Sequence, residues 1–126
     1  MLGDNRAVAT IPVSDAARAR EFYQEKLGLQ PMEIRDGVTT YSSGGTAIFV
    51  YESEAAGTNK ATSATWAVPD VDAVVADLKK RGVAFERYDN LPGMAMKGDI
   101  HVGAGDMKVA WFKDPDGNIL SIVSSH

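Results

Sequence analysis

The chain contains no cysteine, which excludes disulfides, thiolate metal ligands and a thiol nucleophile. Histidine is nearly as scarce, with only His101 and His126 in 126 residues. A facial triad of two histidines and a carboxylate would need both, and His126 is the final residue. Apolar runs are short; none approaches the ~18 residues of a membrane span. Met1 to Arg6 lacks the basic-then-apolar layout of a secretory signal, so a cytoplasmic location and no membrane partner are expected. No glycine-rich phosphate cradle is present, since Gly44-Gly45 and Gly103-x-Gly105 read as tight turns. Positive charge is also in deficit. The formal net charge is −4, so a nucleic-acid partner would need a local basic patch, and none is expected. Lys79-Lys80-Arg81 comes nearest, and reads as the positive last turn of a helix. What remains is ordinary globular material, 44% hydrophobic and 24% charged, of a length suited to one domain.

Within that material the plainest signal is a turn. Trp111-Phe112-Lys113 and Ile119-Leu120-Ser121-Ile122-Val123 flank Asp114-Pro115-Asp116-Gly117-Asn118. Asp114 suits the first position of a type I turn, Pro115 the second and Gly117 the fourth, which predicts a hairpin. Upstream, 6–13 reads as a strand, and Ser14 or Asp15 caps a helix striped by Ala19, Phe22, Tyr23 and Leu27. Gly28 stops that helix, and strand-like runs follow near 30–35, 38–42 and 46–52. The order then restarts. Ala61 to Val68 reads as a strand, Asp70 caps a helix striped by Val71, Val74, Val75 and Leu78, and Gly82 ends it. Further strands are expected at 83–88, about 106–113 and 118–124.

The chain is therefore read as α+β, two βαβββ modules over 6–52 and 62–124 joined by a linker at 53–61. Each sheet covers one face with its helix. Together the two mostly antiparallel sheets form a cup, the obvious place for a small ligand.

Three stretches carry a resemblance. They are Val13-x-Asp15…Phe22-Tyr23…Leu27-Gly28-Leu29, then Val68-x-Asp70-Val71-Asp72…Leu78…Gly82-Val83, and finally the hairpin Phe112-x-Asp114-Pro115-Asp116-Gly117-Asn118-x-Leu120. In this order they resemble the vicinal oxygen chelate superfamily of glyoxalases, bleomycin-resistance proteins and extradiol dioxygenases. Phe85-Glu86-x-Tyr88-Asp89…Leu91-Pro92-Gly93 is similar to a bacterial glyoxalase-like subgroup. The resemblance implies the paired-module fold and a homodimer. Metal-using members hold an ion with four side chains facing the cup. Matched residue by residue, those positions fall on Val8, near Phe49 to Tyr51, on Ser63 and on Ser121. Glu52 lies close to the second of them. No metal ligand and no cofactor is expected at positions so filled.

Strand alternation extends the list of cup-facing residues to Thr10 and Thr65, with Ile11, Trp66 and Val68 turned to the helices. On the strand before the turn, Ala110 and Phe112 should face the helix, leaving Val109 and Trp111 toward the cup. Trp111 is the first candidate for ligand contact, with a dimer contact as its alternative. Tyr41, Phe49 and Tyr51 could line the opposite wall or fill the core. Met94 and Met96, in a stretch at 91–98 without regular pattern, suit either an adaptable lid or packing on the sheet edge. His101 is the one interior group suited to acid–base work, or it is a structural residue on a short strand. The leading expectation is a metal-free protein that holds an apolar or aromatic molecule, as the bleomycin-resistance branch does. The alternative is a glyoxalase- or dioxygenase-like enzyme, with a non-standard metal site or with His101 aided by Tyr41 or Glu52.

Overall fold

In the computed structural model, which describes residues 1–125, two similar units follow each other. The first contains β1 (Ala9–Val13), α1 (Ala16–Arg20, continuing through Glu21–Lys26), β2 (Gln30–Arg35), β3 (Val38–Ser43) and β4 (Thr46–Glu52). The second contains β5 (Thr62–Val68), α2 (Val71–Lys80), β6 (Phe85–Glu86), β7 (Ala95–Lys97), β8 (Ile100–Val102), β9 (Lys108–Lys113) and β10 (Ile119–Ser124). The sheet orders correspond, β1-β4-β3-β2 and β5-β10-β9-β8-β7. Among the described residues only β1–β4 and β5–β10 run parallel; every other pair is antiparallel. Among the described residues no helix is long and apolar enough to cross a membrane.

The helix starts follow from capping chemistry. Asp15 accepts the N–H groups of Ala17 and Arg18, and Asp70 accepts that of Ala73. Both helices stop where a glycine turns left-handed, Gly28 at φ +76° and Gly82 at φ +88°. The first helix is less regular than its stripe predicts. From Glu21 it widens to π geometry, with Leu27 N–H reaching Phe22 C=O. The wider turn buries Phe22 and Tyr23 side by side and leaves Leu27 half-buried.

The second unit departs further from the sequence reading. The strand expected at 83–88 is only Phe85–Glu86, paired with Phe112 and Trp111 of β9. The chain then leaves the sheet and returns as β8, pairing His101 with Val109 farther along the same edge of β9. The stretch at 91–98 holds β7, which pairs Met96 with His101. Three-residue strands carry too little alternation to announce themselves.

The helix-bearing faces of both sheets close on one core. Phe22 of the first unit lies 6.3 Å from Phe112 of the second, and Trp66 Nε1 donates to Ser43 Oγ across the junction. Ile11, Val13, Tyr41, Ile48 and Val50 join Val71, Val75, Leu78, Ala110, Phe112, Leu120 and Ile122 in that core. The opposite faces of the two sheets are turned away from it.

A polar knot fastens the units. The turn forms as the sequence predicts, with Gly117 N–H donating to Asp114 C=O at 3.0 Å. Buried Asp114 accepts Tyr23 Oη–H at 2.7 Å, Asn118 Nδ2–H at 2.8 Å, and the backbone N–H groups of Asp116 and Asn118. Asn118 Nδ2 also donates to Pro12 C=O at 2.7 Å. Burial, then the Asp114 carboxylate, pushes the Tyr23 phenol far above its ordinary 10.0. Above pH 10 the unfolded chain releases a proton that the folded chain keeps, so stability must fall as pH rises. The expected slope is about 1.4 kcal/mol per pH unit. Urea titrations between pH 9 and 11 should show it, and Tyr23→Phe should reduce the slope, leaving what Tyr41 and Tyr88 contribute in the same direction.

The linker is fitted to the same turn. Gly57 has φ +73°, and a Cβ there would lie 2.0 Å from the Asp116 carbonyl oxygen. Gly57→Ala is therefore expected to lower stability by about 2–4 kcal/mol in urea denaturation, by strain and clash together.

Candidate functional site

Register decides which side chains share the face turned away from the core. In the second sheet, Thr65 is opposite Ser121 and Ser121 opposite Trp111, while His101 is opposite both Val109 and Met96. These residues form two neighbouring rows on one face, Thr65–Ser121–Trp111 and Val109–His101–Met96, offset by two residues along β9. At one end the Thr65 and Ser121 hydroxyls are hydrogen bonded at 2.7 Å. Beside them Trp111 Nε1 donates to Thr62 Oγ1 at 3.3 Å. Ser63 sits at the bulge where the β5–β10 register shifts.

The other end is aromatic. Trp111 meets His101 edge-on at 4.8 Å between ring centroids and Tyr88 at 5.2 Å, and Tyr88 lies 5.9 Å from His101. His101 is fully buried, and its Nε2 accepts the backbone N–H of Tyr88 at 3.0 Å. The ring proton of a neutral His101 must then sit on Nδ1, which has no partner among the described residues. Met94 and Met107 close over Gly103, where an added Cβ would lie 3.5 Å and 3.4 Å from their methyl carbons. Met94 thus packs against Gly103, and Met96 lies on the edge strand β7. Burial raises the pKa of the Tyr88 phenol, helped by the Glu86 charge.

In the first sheet, Thr10, Phe49 and Thr40 share a row, as do Pro12, Tyr51 and Val38. Thr10 is exposed, and Phe49 and Tyr51 are half-buried. Tyr41 corrects the expectation that it lines this wall. It pairs with Ile48 on the helix side, is 1% exposed and lies 6.1 Å from Tyr23 in the core. Glu52 also stands apart, accepting the Ala16 N–H at the start of α1. Neither is near His101, so the acid–base pairing of His101 with Tyr41 or Glu52 is not assembled. Trp66 faces the helix side as alternation requires, stacked on Phe112 at 6.4 Å. It borders an apolar cavity of about 110 Å³ with Leu27, Leu29, Val74 and Leu78. Tyr88 and Thr62 are the members of the site that alternation does not single out. Tyr88 lies outside any strand, and Thr62 reaches Trp111 only through the bulge.

Of the four positions that resemble metal ligands, three carry an apolar side chain and two hydroxyls, Val8, Ser63 and Ser121, and the fourth falls among Phe49, Val50 and Tyr51. Such a donor set does not fit a divalent ion, which takes imidazole and carboxylate ligands. Among the described residues no three His, Asp or Glu side chains are gathered closely enough to hold one. His126 lies outside the described residues.

Solved structures of the same fold span nearly the whole chain. TnmS3, an antibiotic binding protein from Streptomyces sp. CB03234, is 24% identical with a TM-score of 0.68, covering 97% of this chain and 96% of that one. The bleomycin resistance determinant encoded on transposon Tn5 is 17% identical, TM-score 0.73, covering 97% and 98%. Lactoylglutathione lyase from Agrobacterium tumefaciens is 14% identical, TM-score 0.72, covering 96% and 93%. No curated protein sequence matches the chain. A family model matches residues 6–122, and by that match the chain belongs to the Glyoxalase/Bleomycin resistance protein/Dioxygenase superfamily.

Proposed function

We propose that the protein binds a small apolar or aromatic molecule on the outward faces of its sheets, without a metal and without catalysis. The observation that carries this reading is the shared face of Thr65, Ser121 and Trp111, in which a hydroxyl pair adjoins an aromatic wall that Trp111 forms with Tyr88 and, beneath them, His101. Aromatic rings supply large contact area with specific geometry, and the hydroxyls can orient a polar substituent. An antibiotic binding protein and a bleomycin resistance determinant share this fold, which supports a binding role.

The same geometry favours a homodimer. The ligand-facing side chains of both sheets point away from the core of their own chain, so one chain offers two half-sites, with Thr65, Trp111, Thr10, Phe49 and Tyr51 accessible and Ser121 and His101 buried beneath. A second copy could set the Thr10, Phe49 and Tyr51 wall of one chain over the Trp111 wall of the other. The cell compartment in this reading is the cytoplasm.

Native mass spectrometry tests the whole reading. Protein mixed with 1-naphthol and with Zn²⁺, Mn²⁺ or Fe²⁺ should run as a dimer that carries 1-naphthol and no stoichiometric metal. A monomer that retains one metal ion per chain would overturn it in favour of a metal-dependent enzyme.

A further inference from the structure

We infer that His101 is a positioning residue for the aromatic wall, acting through the backbone of Tyr88 rather than as an acid or base. The inference rests on the binding reading above for its ligand arm and on the fold alone for the rest.

The edge of β9 is covered by two separate strands. β6 ends at Glu86, opposite Trp111, and β8 pairs His101 with Val109. Between them residues 87–99 leave the sheet, and Tyr88 stands just past the break. Its N–H has no strand carbonyl to bond. The His101 imidazole takes that place, Nε2 accepting at 3.0 Å. A side chain thus completes the ladder where the backbone is interrupted.

Both ring nitrogens are thereby withdrawn from chemistry. Nε2 is engaged with Tyr88, and Nδ1 is buried without a partner among the described residues. A general acid or base needs a nitrogen that a substrate can reach, and in this arrangement one is engaged and the other is shut off from solvent. The geometric consequence lies in the rings. Holding Tyr88 N–H fixes where its side chain leaves the backbone, and that ring rests 5.2 Å from Trp111 while His101 rests 4.8 Å from it. One hydrogen bond therefore sets the mutual placement of three rings that form the wall.

The test compares His101→Leu, which removes the acceptor, with His101→Gln, whose side-chain oxygen can reach the same N–H. Amide exchange at Tyr88 and the affinity for 1-naphthol are measured in the full-length chain. Loss of the acceptor should speed Tyr88 exchange by about tenfold or more relative to the amides of β9 and β10. It should weaken 1-naphthol by about tenfold, with both effects largely restored by Gln. A cooperative urea transition for His101→Gln confirms that the comparison is between folded proteins. Unchanged Tyr88 exchange in His101→Leu would overturn the clasp. Faster exchange with unchanged affinity would overturn the positioning role, as would a Gln variant no better than Leu. If the wild-type protein ignores 1-naphthol, the binding reading and the ligand arm fail together, and Tyr88 exchange still decides the clasp.

Discussion

Replacing Asp114 with alanine is expected to lower stability by about 3–5 kcal/mol, since one carboxylate satisfies several donors that would be left unpaired. Tyr23 Oη–H, Asn118 Nδ2–H and two backbone N–H groups all converge on it. Tyr23 belongs to the first unit and Asn118 to the second, so the loss reaches both the turn and the junction. A domain of this size holds roughly 5–15 kcal/mol in all, so the variant should be near the limit of folding. Asp114→Asn keeps the shape and two of the acceptor lone pairs but opposes one donor with another. It should cost less, about 1–3 kcal/mol. Equilibrium urea denaturation of both variants checks the order. Equal, small losses would mean that water replaces the carboxylate, and the knot would not then be what joins the units.

Trp111→Ala should abolish most of the ligand affinity, by about thirtyfold or more, whereas Trp66→Phe should leave it unchanged. The two tryptophans make a controlled pair because they lie on opposite faces of the same sheet. Trp111 is beside Ser121 on the outward face, and Trp66 is stacked on Phe112 toward the helices. Isothermal titration with 1-naphthol measures both. Trp111 is half-buried and packs on His101 and Tyr88, so a cooperative urea transition of the variant is required beside the titration. Loss of affinity in the Trp66 variant instead would place the ligand in the cavity on the helix side.

Much of this arrangement was legible from residues alone, and physical reasons separate what was from what was not. Asp15, Asp70, Gly28 and Gly82 mark helix ends because caps and left-handed turns demand particular side chains. The turn at Asp114 to Asn118 is legible for the same reason. Alternation places Trp111 and Trp66 on opposite faces, which needs only a correct strand. Tyr41 is not placed this way, because its face depends on how β3 registers against β4, and pairing with Ile48 rather than Phe49 reverses it. Glu52 raised the same question, and its bond to the N-terminus of α1 answers it. The break between β6 and β8 had no signal of its own. Its strands of two and three residues are held by β9 and by the His101 side chain, and such tertiary partners are invisible to a local pattern.

The central claim is that the face carrying Trp111 is where a small aromatic molecule is held. Trp66→Phe leaves Trp111 as the one tryptophan, so its emission reports on that face alone. Titrating this variant with a panel of aromatic compounds that includes 1-naphthol should give a saturable change at micromolar concentration for at least one of them. A flat response across the panel up to the millimolar range would contradict the claim.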